Sequence, residues 1–586
     1  MGGYRPRRAH GPSGRAKGPG ARDRAGNASE ARQDPARPAR RPRPADPRRA
    51  AYDVLAAVRD RAAYANLLLP RLLAERQLTG RDAALATELA YGTLRGQGTY
   101  DAVLAACSDR PLGKLDPPVL DVLRLGTHQL LSTRIGAHAA VATSVDLAKS
   151  VVGPRVSGYV NAVLRRVATR DLPAWLDIVA PDPVADQDGY LATRYSHPRW
   201  IVAAYRAALG AAADAPAQAI AIPGAPAGQE PAQTAAGTGD GDPTDPPPGP
   251  GAARGTGGVA VTELEAELAA GNGRPKVTLA TFPAGPPRED VMPADAVPGH
   301  WSPYAFTLES GNPAPLVESG AAAVQDEGSQ LAAIALSRAP VTPRAGQGAR
   351  AGQGDGGQER WLDLCAGPGG KSRLLYGLAA GRGATLTAAE LHPHRAALVE
   401  DALTTASRLA GSRAPSAQPQ AADGQGVAEP SGARGTGFEV VVADGTRPPW
   451  PGGTFDRVLV DAPCSGLGAL RRRPEARWRK SPDDLKELTA LQRDLLGSAL
   501  ASVRPGGVVA YVTCSPVPAE TSDVIADVTA AMPGVEVIDA PAVLSEVPGT
   551  RAADPRFAQL WPHRHGTDAI FIALLRRGKN EPDPEP

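Results

Sequence analysis

The sequence predicts a multidomain protein in which an all-α bundle precedes an α/β domain built on a parallel, doubly wound sheet. Three observations support this fold class. The chain has 586 residues, which is too long for a single hydrophobic core. Residues 47–175 repeat apolar side chains at helical spacing. From residue 359 onward, short apolar strands alternate with helical stretches, which is typical of a parallel sheet with crossover helices.

The helical part shows both periodicity and helix starts. The segment 81–95 places Leu85, Leu89 and Leu94 close to helical spacing. The segment 115–131 opens with Asp-Pro-Pro, a helix start, and continues with an apolar face formed by Val119, Val122, Leu123 and Leu130. The segment 158–168 closes the bundle.

Glycine and proline mark the boundaries between domains. The chain has 65 Gly and 59 Pro, and the excess of both lies mostly in discrete stretches. Three low-complexity stretches, at 211–258, 341–358 and 411–437, are expected to be disordered inserts. They leave a helical domain at 47–175, a helical linker at 176–210, a small α+β subdomain at 259–340 and the α/β domain at 359–577.

The charge is distributed unevenly. The net charge is +2, yet residues 1–49 hold 14 Lys/Arg against 4 Asp/Glu, so the disordered tail predicted at 1–46 is basic. Such a tail cannot pack a core, but it can neutralise the phosphates of a nucleic acid. A solvated tail without a partner fits the same composition.

Cysteine usage and hydropathy limit the class of protein. The four cysteines lack the paired spacing of a zinc site or a disulfide framework. The N-terminus has no apolar signal-peptide core, and no run of about 18 apolar residues is present to span a bilayer. We therefore expect a cytoplasmic protein with reduced thiols, no metal and no membrane partner.

The α/β domain offers a ligand site at one edge of its sheet. Its apolar strands are 361–364, 384–389, 438–443, 455–460, 507–513 and 569–575. The first strand enters a glycine-rich turn at 363–372, the second ends in Glu390 and the third leads to Asp444. A ligand binds at the carboxyl ends of such strands, where an acid can accept hydrogen bonds from a ribose diol. These features predict a nucleoside pocket, against the alternative of a structural turn with solvated carboxylates.

Two further strands each deliver a cysteine to the same edge. Asp461 and Cys464 lie in DAPCSGLG (461–468), and Cys514 lies in TCSP (513–516). Small buried cysteines are the common alternative, but both lie in loops just past strand ends. Methylation at carbon 5 of cytosine needs a thiolate that attacks C6, a group at N3/N4 and a means of removing the C5 proton. Asp461, Cys464 and Cys514 are candidates for these three roles.

These motifs resemble those of a known family. DLCAGPGGKS (363–372), DAPCSGLG (461–468) and YVTCSP (511–516) are similar to motifs of Sun-type (NOL/NOP/Sun) RNA cytosine-5 methyltransferases, over about residues 300–577. The stretch 322–331 is similar to the entry from a small RNA-recognition-like subdomain into their Rossmann-like domain. The segment 47–175 resembles the RNA-binding NusB domain, and the fusion resembles ribosomal RNA small-subunit methyltransferases.

The resemblance implies S-adenosylmethionine-dependent methylation of carbon 5 of a cytosine in small-subunit (16S) ribosomal RNA, through a covalent cysteine–C6 adduct. It implies that Cys514 is the nucleophile and that Cys464 assists release, which leaves Asp461 for cytosine N3/N4. Ribosomal RNA is then the expected partner of a monomeric enzyme. The cofactor would be held by Asp461, Glu390, Asp444 and a turn made of Cys365, Ala366, Gly367, Pro368, Gly369, Gly370 and Lys371.

Two other functions remain open at this point. A DNA cytosine-5 methyltransferase would use Cys464 as its nucleophile, but it leaves the Thr-Cys-Ser motif around Cys514 unexplained. A non-catalytic NusB-like RNA-binding factor would be expected to lose strand-end residues, all of which are present.

A basic loop and two histidines complete the candidates. The loop at 471–480 is expected to hold an RNA backbone near the site, and a solvated loop is the alternative. His563 and His565 are expected to be structural or to contact RNA, because no ligand set accompanies them. The basic and aromatic side chains of the loop are Arg471, Arg472, Arg473, Arg477, Trp478, Arg479 and Lys480.

Overall fold

A computed structural model describes residues 46–210, 261–309, 311–343, 358–411 and 437–578. Nearly all of the predicted basic tail and most of each predicted insert lie outside these ranges. Within them, every helix is too short or too polar to cross a lipid bilayer.

The first described range is entirely helical. The first helix starts where Pro47 provides a pre-set φ angle and the Asp46 side chain accepts a hydrogen bond from the Arg48 N–H. Within residues 46–210 the α-helices are α1 (Pro47–Arg61), α2 (Ala65–Glu75), α3 (Gly80–Cys107), α4 (Pro117–Ser132), α5 (Ala137–Val151), α6 (Ser157–Val167), α7 (Leu172–Val179), α8 (Gln187–Arg194) and α9 (Arg199–Leu209).

The predicted apolar faces pack against one another. On α4, Val119, Val122 and Leu123 are buried, and Leu130 is half-buried against the same core. Leu89 of α3 is also fully buried there. Burying such a side chain stabilises the fold by about 1.5–3 kcal/mol, so the shared core holds the bundle together.

A small antiparallel sheet follows the helices. The elements are α10 (Glu263–Ala270), β1 (Val277–Thr281), α11 (Arg288–Val291), β2 (Ala296–Pro298), β3 (Ala305–Leu308), α12 (Ala314–Glu318), β4 (Ala322–Val324) and α13 (Glu327–Arg338). The strand order of the sheet is β2–β3–β1–β4. Helix α10, which precedes the sheet, begins with a capping box between Thr262 and Glu265.

The larger sheet has the order β10–β12–β9–β8–β5–β6–β7, with β11 paired to β12. Neighbouring residues Trp361 and Leu362 are both fully buried in separate apolar clusters, because helices cover both faces. The elements are β5 (Arg360–Asp363), α14 (Gly370–Ala380), β6 (Thr385–Glu390), α15 (Pro393–Gly411), β7 (Phe438–Val442), β8 (Phe455–Asp461), α16 (Ala476–Arg479), α17 (Pro482–Ser502), β9 (Val503–Thr513), α18 (Ser522–Ala531), β10 (Glu536–Ile538), α19 (Ala540–Val543), β11 (Ala558–Gln559), α20 (Pro562–His565) and β12 (Phe571–Arg576).

The large sheet is mixed, which corrects the prediction of a parallel sheet. The five strands β5 to β9 are parallel, but β12 pairs antiparallel with both β9 and β10. Apolar periodicity does not encode strand direction, and open α/β sheets commonly carry an antiparallel edge. The Rossmann-like α/β class and the preceding helical bundle are as predicted.

Most arginines of the basic loop at 471–480 contact other parts of the protein. For these arginines, the prediction of an RNA-binding loop and the alternative of a solvated loop are both wrong. Arg471 is nearly buried and pairs with Asp568 (Nε–Oδ1 2.7 Å) and Asp326 (Nη2–Oδ2 3.0 Å). Arg472 contacts the same two carboxylates. These ion pairs join the loop to the start of α13 and to the segment before β12.

The same loop connects the α/β domain to the helical bundle. The guanidinium of Arg479 donates to the Val58 carbonyl (3.0 Å), and the Glu475 carboxylate accepts the Ala65 N–H (3.1 Å). Arg477 is fully buried, and burial lowers its pKa to about 9. Its Nη1 donates to the carbonyls of Arg95 (3.1 Å) and Ser196 (3.1 Å) and to Asn272 Oδ1 (2.6 Å), and its Nη2 donates to the Gly271 carbonyl (2.7 Å).

We predict that Arg477→Ala destabilises the protein by about 3 kcal/mol or more, because each buried acceptor left without a donor costs about 1–3 kcal/mol. The measurement is the free energy of unfolding in denaturant. Arg473→Ala is the control, since Arg473 is exposed in the same loop and only its stacking on the Tyr64 ring (5.5 Å to the centroid) would be lost, at a cost of about 1 kcal/mol or less. Equal stability of the two variants would contradict the structural role of Arg477.

Candidate active site

The parallel pairing of β8 with β9 brings the two strand-end cysteines together. Asp461 lies opposite Val512, and the Ala462 N–H continues the ladder to the Val512 carbonyl (2.9 Å). Both strands therefore end at the same level of the sheet. The Sγ atoms of Cys464 and Cys514 lie 3.3 Å apart, and both residues are half-buried.

The two thiols are not equivalent. The hydrogen bond between the two thiols lowers the pKa of Cys514, and the nearby Lys371 ammonium acts in the same direction, against burial and the Asp461 charge. The same hydrogen bond raises the pKa of Cys464, and burial adds to this. The pair therefore favours a Cys514 thiolate beside a protonated Cys464.

Lys371 and Asp461 form an ion pair beside the cysteines, with Nζ and Oδ2 2.8 Å apart. Burial lowers the pKa of Lys371, but the attraction and hydrogen bond of Asp461 outweigh it, so the pKa is raised. Lys371 therefore stays charged and balances one carboxylate.

A second acid lies deeper under the turn. Asp363 is fully buried, and its Oδ2 accepts a hydrogen bond from Ser372 Oγ (2.7 Å). Its Oδ1 has no hydrogen-bond partner among the described residues. Burial is the main cause that raises the pKa of Asp363 to about 7, and the Asp461 charge adds to it.

The glycine-rich turn closes against Glu390. The Gly367 N–H donates to Glu390 Oε2 (3.1 Å), and Arg395 Nη2 donates to the Gly367 carbonyl (2.7 Å). A Cβ at Gly367 would overlap the Glu390 carboxylate, so any other residue there would displace that carboxylate from the turn. Gly369, with a φ of +103°, then starts α14 in a backbone conformation that favours glycine.

The structure places the remaining predicted residues around this turn. Cys365 is half-buried, and burial raises its pKa. The Ala366 N–H pairs with the Ala389 carbonyl (2.9 Å), which aligns the turn with β6. Asp444 is exposed just past the end of β7, where its Oδ1 accepts from the N–H (2.9 Å) and Oγ1 (2.8 Å) of Thr446.

One residue in the site was missed by the sequence analysis. Glu520 is fully buried and accepts hydrogen bonds from Ser465 and Ser515, which directly follow the two cysteines. The sequence does show that both cysteines are followed by serine and that an acid lies six residues after Cys514. Its meaning depends on tertiary contacts that periodicity does not show.

The two C-terminal histidines are structural. His563 lies between Glu263 (Nε2–Oε2 2.5 Å) and Glu267 (Nδ1–Oε2 2.7 Å), and His565 Nδ1 accepts the Trp561 N–H (2.9 Å). In the described part of the chain, no group of three or more His, Cys, Asp or Glu side chains is arranged to hold a metal ion.

The fold and the site together define a Rossmann-like methyltransferase. Residues 431–576 match the family described as 16S rRNA methyltransferase RsmB/F, and residues 45–169 match the NusB family. The chain is 44% identical over 541 residues to a putative methyltransferase of Mycobacterium tuberculosis, covering 92% of this chain and 98% of that one. The chain belongs to the RsmB/F family of methyltransferases and carries a NusB domain at its N-terminal side.

More distant relatives agree with this assignment. The chain is 28% identical over 540 residues to a probable ribosomal RNA small subunit methyltransferase B of Bacillus subtilis, covering 90% of this chain and 98% of the relative. The solved structure of a protein named PH0851 shares the fold with a TM-score of 0.61 at 20% identity, covering 91% of this chain and 98% of that one. The expected family and fold are thereby confirmed.

The residues present fit the S-adenosylmethionine that this family uses. Gly367 allows close backbone approach beside an acidic strand end, and a Cβ at Gly370 would meet only open space. The unpaired Oδ1 of Asp363 lies under the same turn. A glycine turn with acids at neighbouring strand ends is the arrangement that binds a nucleoside.

We predict that Asp363→Asn gains stability over the natural protein as the pH rises. The folded-state pKa of about 7 lies above the ordinary value of 3.8, so the natural protein loses stability as the pH rises between these values. Asparagine mimics the protonated acid and avoids this loss. The difference in free energy of unfolding should grow by about 2–3 kcal/mol between pH 5 and pH 8. Asp527→Asn, at an exposed position, is the control; a pH-independent difference for Asp363→Asn would refute the buried titration.

Proposed function

We propose that the protein methylates carbon 5 of a cytosine in 16S ribosomal RNA, with Cys514 as the nucleophile and S-adenosylmethionine as the methyl donor. The contact of the Cys514 and Cys464 sulfurs at 3.3 Å carries this proposal. It brings a thiol whose pKa is lowered beside a thiol whose pKa is raised, at the ligand edge of a methyltransferase sheet. The RsmB/F and NusB matches support ribosomal RNA as the substrate.

The first step makes the base nucleophilic. The target cytosine leaves its stack, and the Cys514 thiolate adds to C6, so that an S–C6 bond forms as the C5–C6 double bond opens. The displaced electrons pass to the ring, where N3 takes up a proton from solvent and C5 becomes an enamine carbon. N3 returns this proton to solvent when the product is released. S-adenosylmethionine, when bound, supplies an electrophilic methyl group to C5. Asp461, which pairs with Lys371, would accept hydrogen bonds from N3–H and the N4 amine.

The second step releases the product. While Cys514 is a thiolate, it raises the pKa of Cys464, and that effect ends when Cys514 is bound to C6. Cys464 can then lose its proton and remove the proton from C5. The C5–H electrons re-form the C5–C6 double bond, the S–C6 bond breaks, and Cys514 leaves as a thiolate. Cys464 thus acts in release.

The cofactor is proposed to lie along the turn of residues 365–371. Glu390 would accept hydrogen bonds from the ribose hydroxyls. A carboxylate has about four acceptor sites, and Glu390 uses three of them at most, for the N–H groups of Gly367 and His392 and for the guanidinium of Arg395 (3.4 Å). Asp444 would lie near the adenine, and Asp461 would face both cofactor and base.

The inequality of the two thiols favours this function over a DNA cytosine-5 methyltransferase. That alternative requires Cys464 to attack, whereas the Lys371 ammonium favours ionisation of Cys514 and the Glu520 carboxylate opposes ionisation of Cys464. A non-catalytic RNA-binding factor would not need a fixed cysteine pair. The NusB domain would contribute RNA affinity and no chemistry.

We predict opposite outcomes for the two cysteine variants. Cys514→Ala should abolish methylation and every covalent protein–RNA adduct, because no thiolate attacks C6. Cys464→Ala should still attack and methylate, and then accumulate an adduct that survives denaturation. Denaturing gels with substrate RNA and cofactor distinguish the two. An adduct that persists in Cys514→Ala and disappears in Cys464→Ala would overturn the assignment.

A second prediction concerns the cofactor. Glu390→Ala removes a charged acceptor and should weaken S-adenosylmethionine binding by about 1.5–3 kcal/mol, measured by calorimetry. Glu439→Ala, an exposed position on β7, should bind as the natural protein does. Unchanged affinity in folded Glu390→Ala would remove Glu390 from the cofactor site.

A further inference from the structure

Glu520 connects the loops that carry the two cysteines. Its side chain is fully buried and accepts four hydrogen bonds. Oε1 accepts from the Ser465 N–H (2.7 Å) and from Gln492 Nε2 (3.2 Å). Oε2 accepts from the hydroxyls of Ser465 (2.5 Å) and Ser515 (2.6 Å). One carboxylate therefore holds the residue after Cys464 and the residue after Cys514.

The surrounding elements fix Glu520 itself. Tyr511 of β9 donates its hydroxyl to the Glu520 backbone carbonyl (2.8 Å). Gln492 of α17 also donates to the carbonyl of Pro463 (2.8 Å), which directly precedes Cys464. The first cysteine is thus held from both sides, and the same network reaches the second. The Gly468 N–H also donates to the Cys514 carbonyl (2.9 Å), so the Glu520 network acts together with a backbone contact between the two loops.

The charge of Glu520 acts unequally on the two thiols. The Glu520 carboxylate is among the groups that raise the pKa of Cys464, after the Cys514 hydrogen bond and burial. The charges around Cys514 are instead those of Asp461, Lys371 and Asp568. Tyr511 is the other titratable group beside Cys464. Glu520 therefore opposes ionisation of Cys464, whereas Lys371 favours ionisation of Cys514.

We propose that Glu520 is a positioning residue for methyl transfer: it holds the two cysteines in contact and keeps Cys464 in its thiol form until Cys514 has reacted. It touches neither substrate nor cofactor in this role. The assignment of attack and release to the two cysteines rests on the proposed function. We call the link that Glu520 makes between the two cysteine loops the tether. The tether itself rests only on the hydrogen bonds of Glu520.

The test compares variants that separate charge from tether. Glu520→Gln removes the charge and disrupts the acceptors, whereas Ser465→Ala with Ser515→Ala removes the two hydroxyl donors and keeps the charge. Glu327→Gln is the matched control, because Glu327 is also buried and accepts two backbone N–H groups, those of Trp301 (2.5 Å) and Ser302 (2.6 Å). Each purified full-length protein is treated with iodoacetamide across a pH series, and mass spectrometry follows the labelling of each cysteine.

In the natural protein, Cys514 should be labelled at lower pH than Cys464. In Glu520→Gln, labelling of Cys464 should move down by about one pH unit, so that the selectivity for Cys514 falls about tenfold. The double serine variant should keep the labelling pH of Cys464. Both variants should lose about tenfold or more in kcat with little change in the KM for RNA, and Glu327→Gln should match the natural protein in both measurements.

The outcomes separate this proposal from the proposed function. Natural selectivity and kcat in folded Glu520→Gln would overturn the role of Glu520, even if Cys514→Ala abolishes the adduct. An adduct that persists in Cys514→Ala would overturn the proposed function, while the labelling shift would still support the tether. If Glu520→Gln does not fold, an unchanged kcat in the double serine variant overturns the proposal on its own.

Discussion

The hydrogen-bonded register between β8 and β9 is the constraint on which the site depends. Asp461 and Val512 lie opposite each other, so the next residues of both strands leave the sheet at one level. Cysteines that are 50 positions apart in sequence then meet at 3.3 Å. A slip of one residue would turn each side chain to the other face and separate the two loops. The apolar cores on both faces of the sheet oppose such a slip, because they fix which residues of each strand are buried.

Two buried carboxylates near this register show how polar groups are accommodated at the carboxyl edge of the sheet. Glu520 accepts four hydrogen bonds, whereas Asp363 accepts one from a side chain and has an oxygen with no partner among the described residues. Burial of a carboxylate is unfavourable unless hydrogen bonds replace those of water. Burial of the Asp363 carboxylate raises its pKa to about 7. The Glu520 carboxylate instead accepts hydrogen bonds that hold two loops in place. The ammonium of Lys371 lies next to Asp461, and its charge acts on the pKa of Asp363 in the direction opposite to burial.

The sequence was most informative where the signal is local. Strand positions, the glycine turn and the cysteine loops follow from apolar runs and from residue types that suit turns, and the structure has them where expected. The loop at 471–480 was misjudged because positive charge in sequence does not reveal the partners of a side chain. Arg477 binds carbonyls that lie 382, 281 and 206 positions away along the chain. The direction of β12 and the role of Glu520 were missed for the same reason, since both are decided by contacts distant in sequence.

The attachment points of two low-complexity stretches lie far from the cysteines. Thr342 donates its N–H to the Gly506 carbonyl (2.9 Å), near the start of β9, and the chain resumes just before Arg360 at the start of β5. The second stretch returns at the start of β7, at Phe438. In a parallel sheet these are amino-terminal strand ends, opposite the edge that carries the chemistry. Lineages can therefore lengthen or shorten these connections without moving a catalytic atom, and the same positions suit the insertion of an affinity tag or a fluorescent reporter.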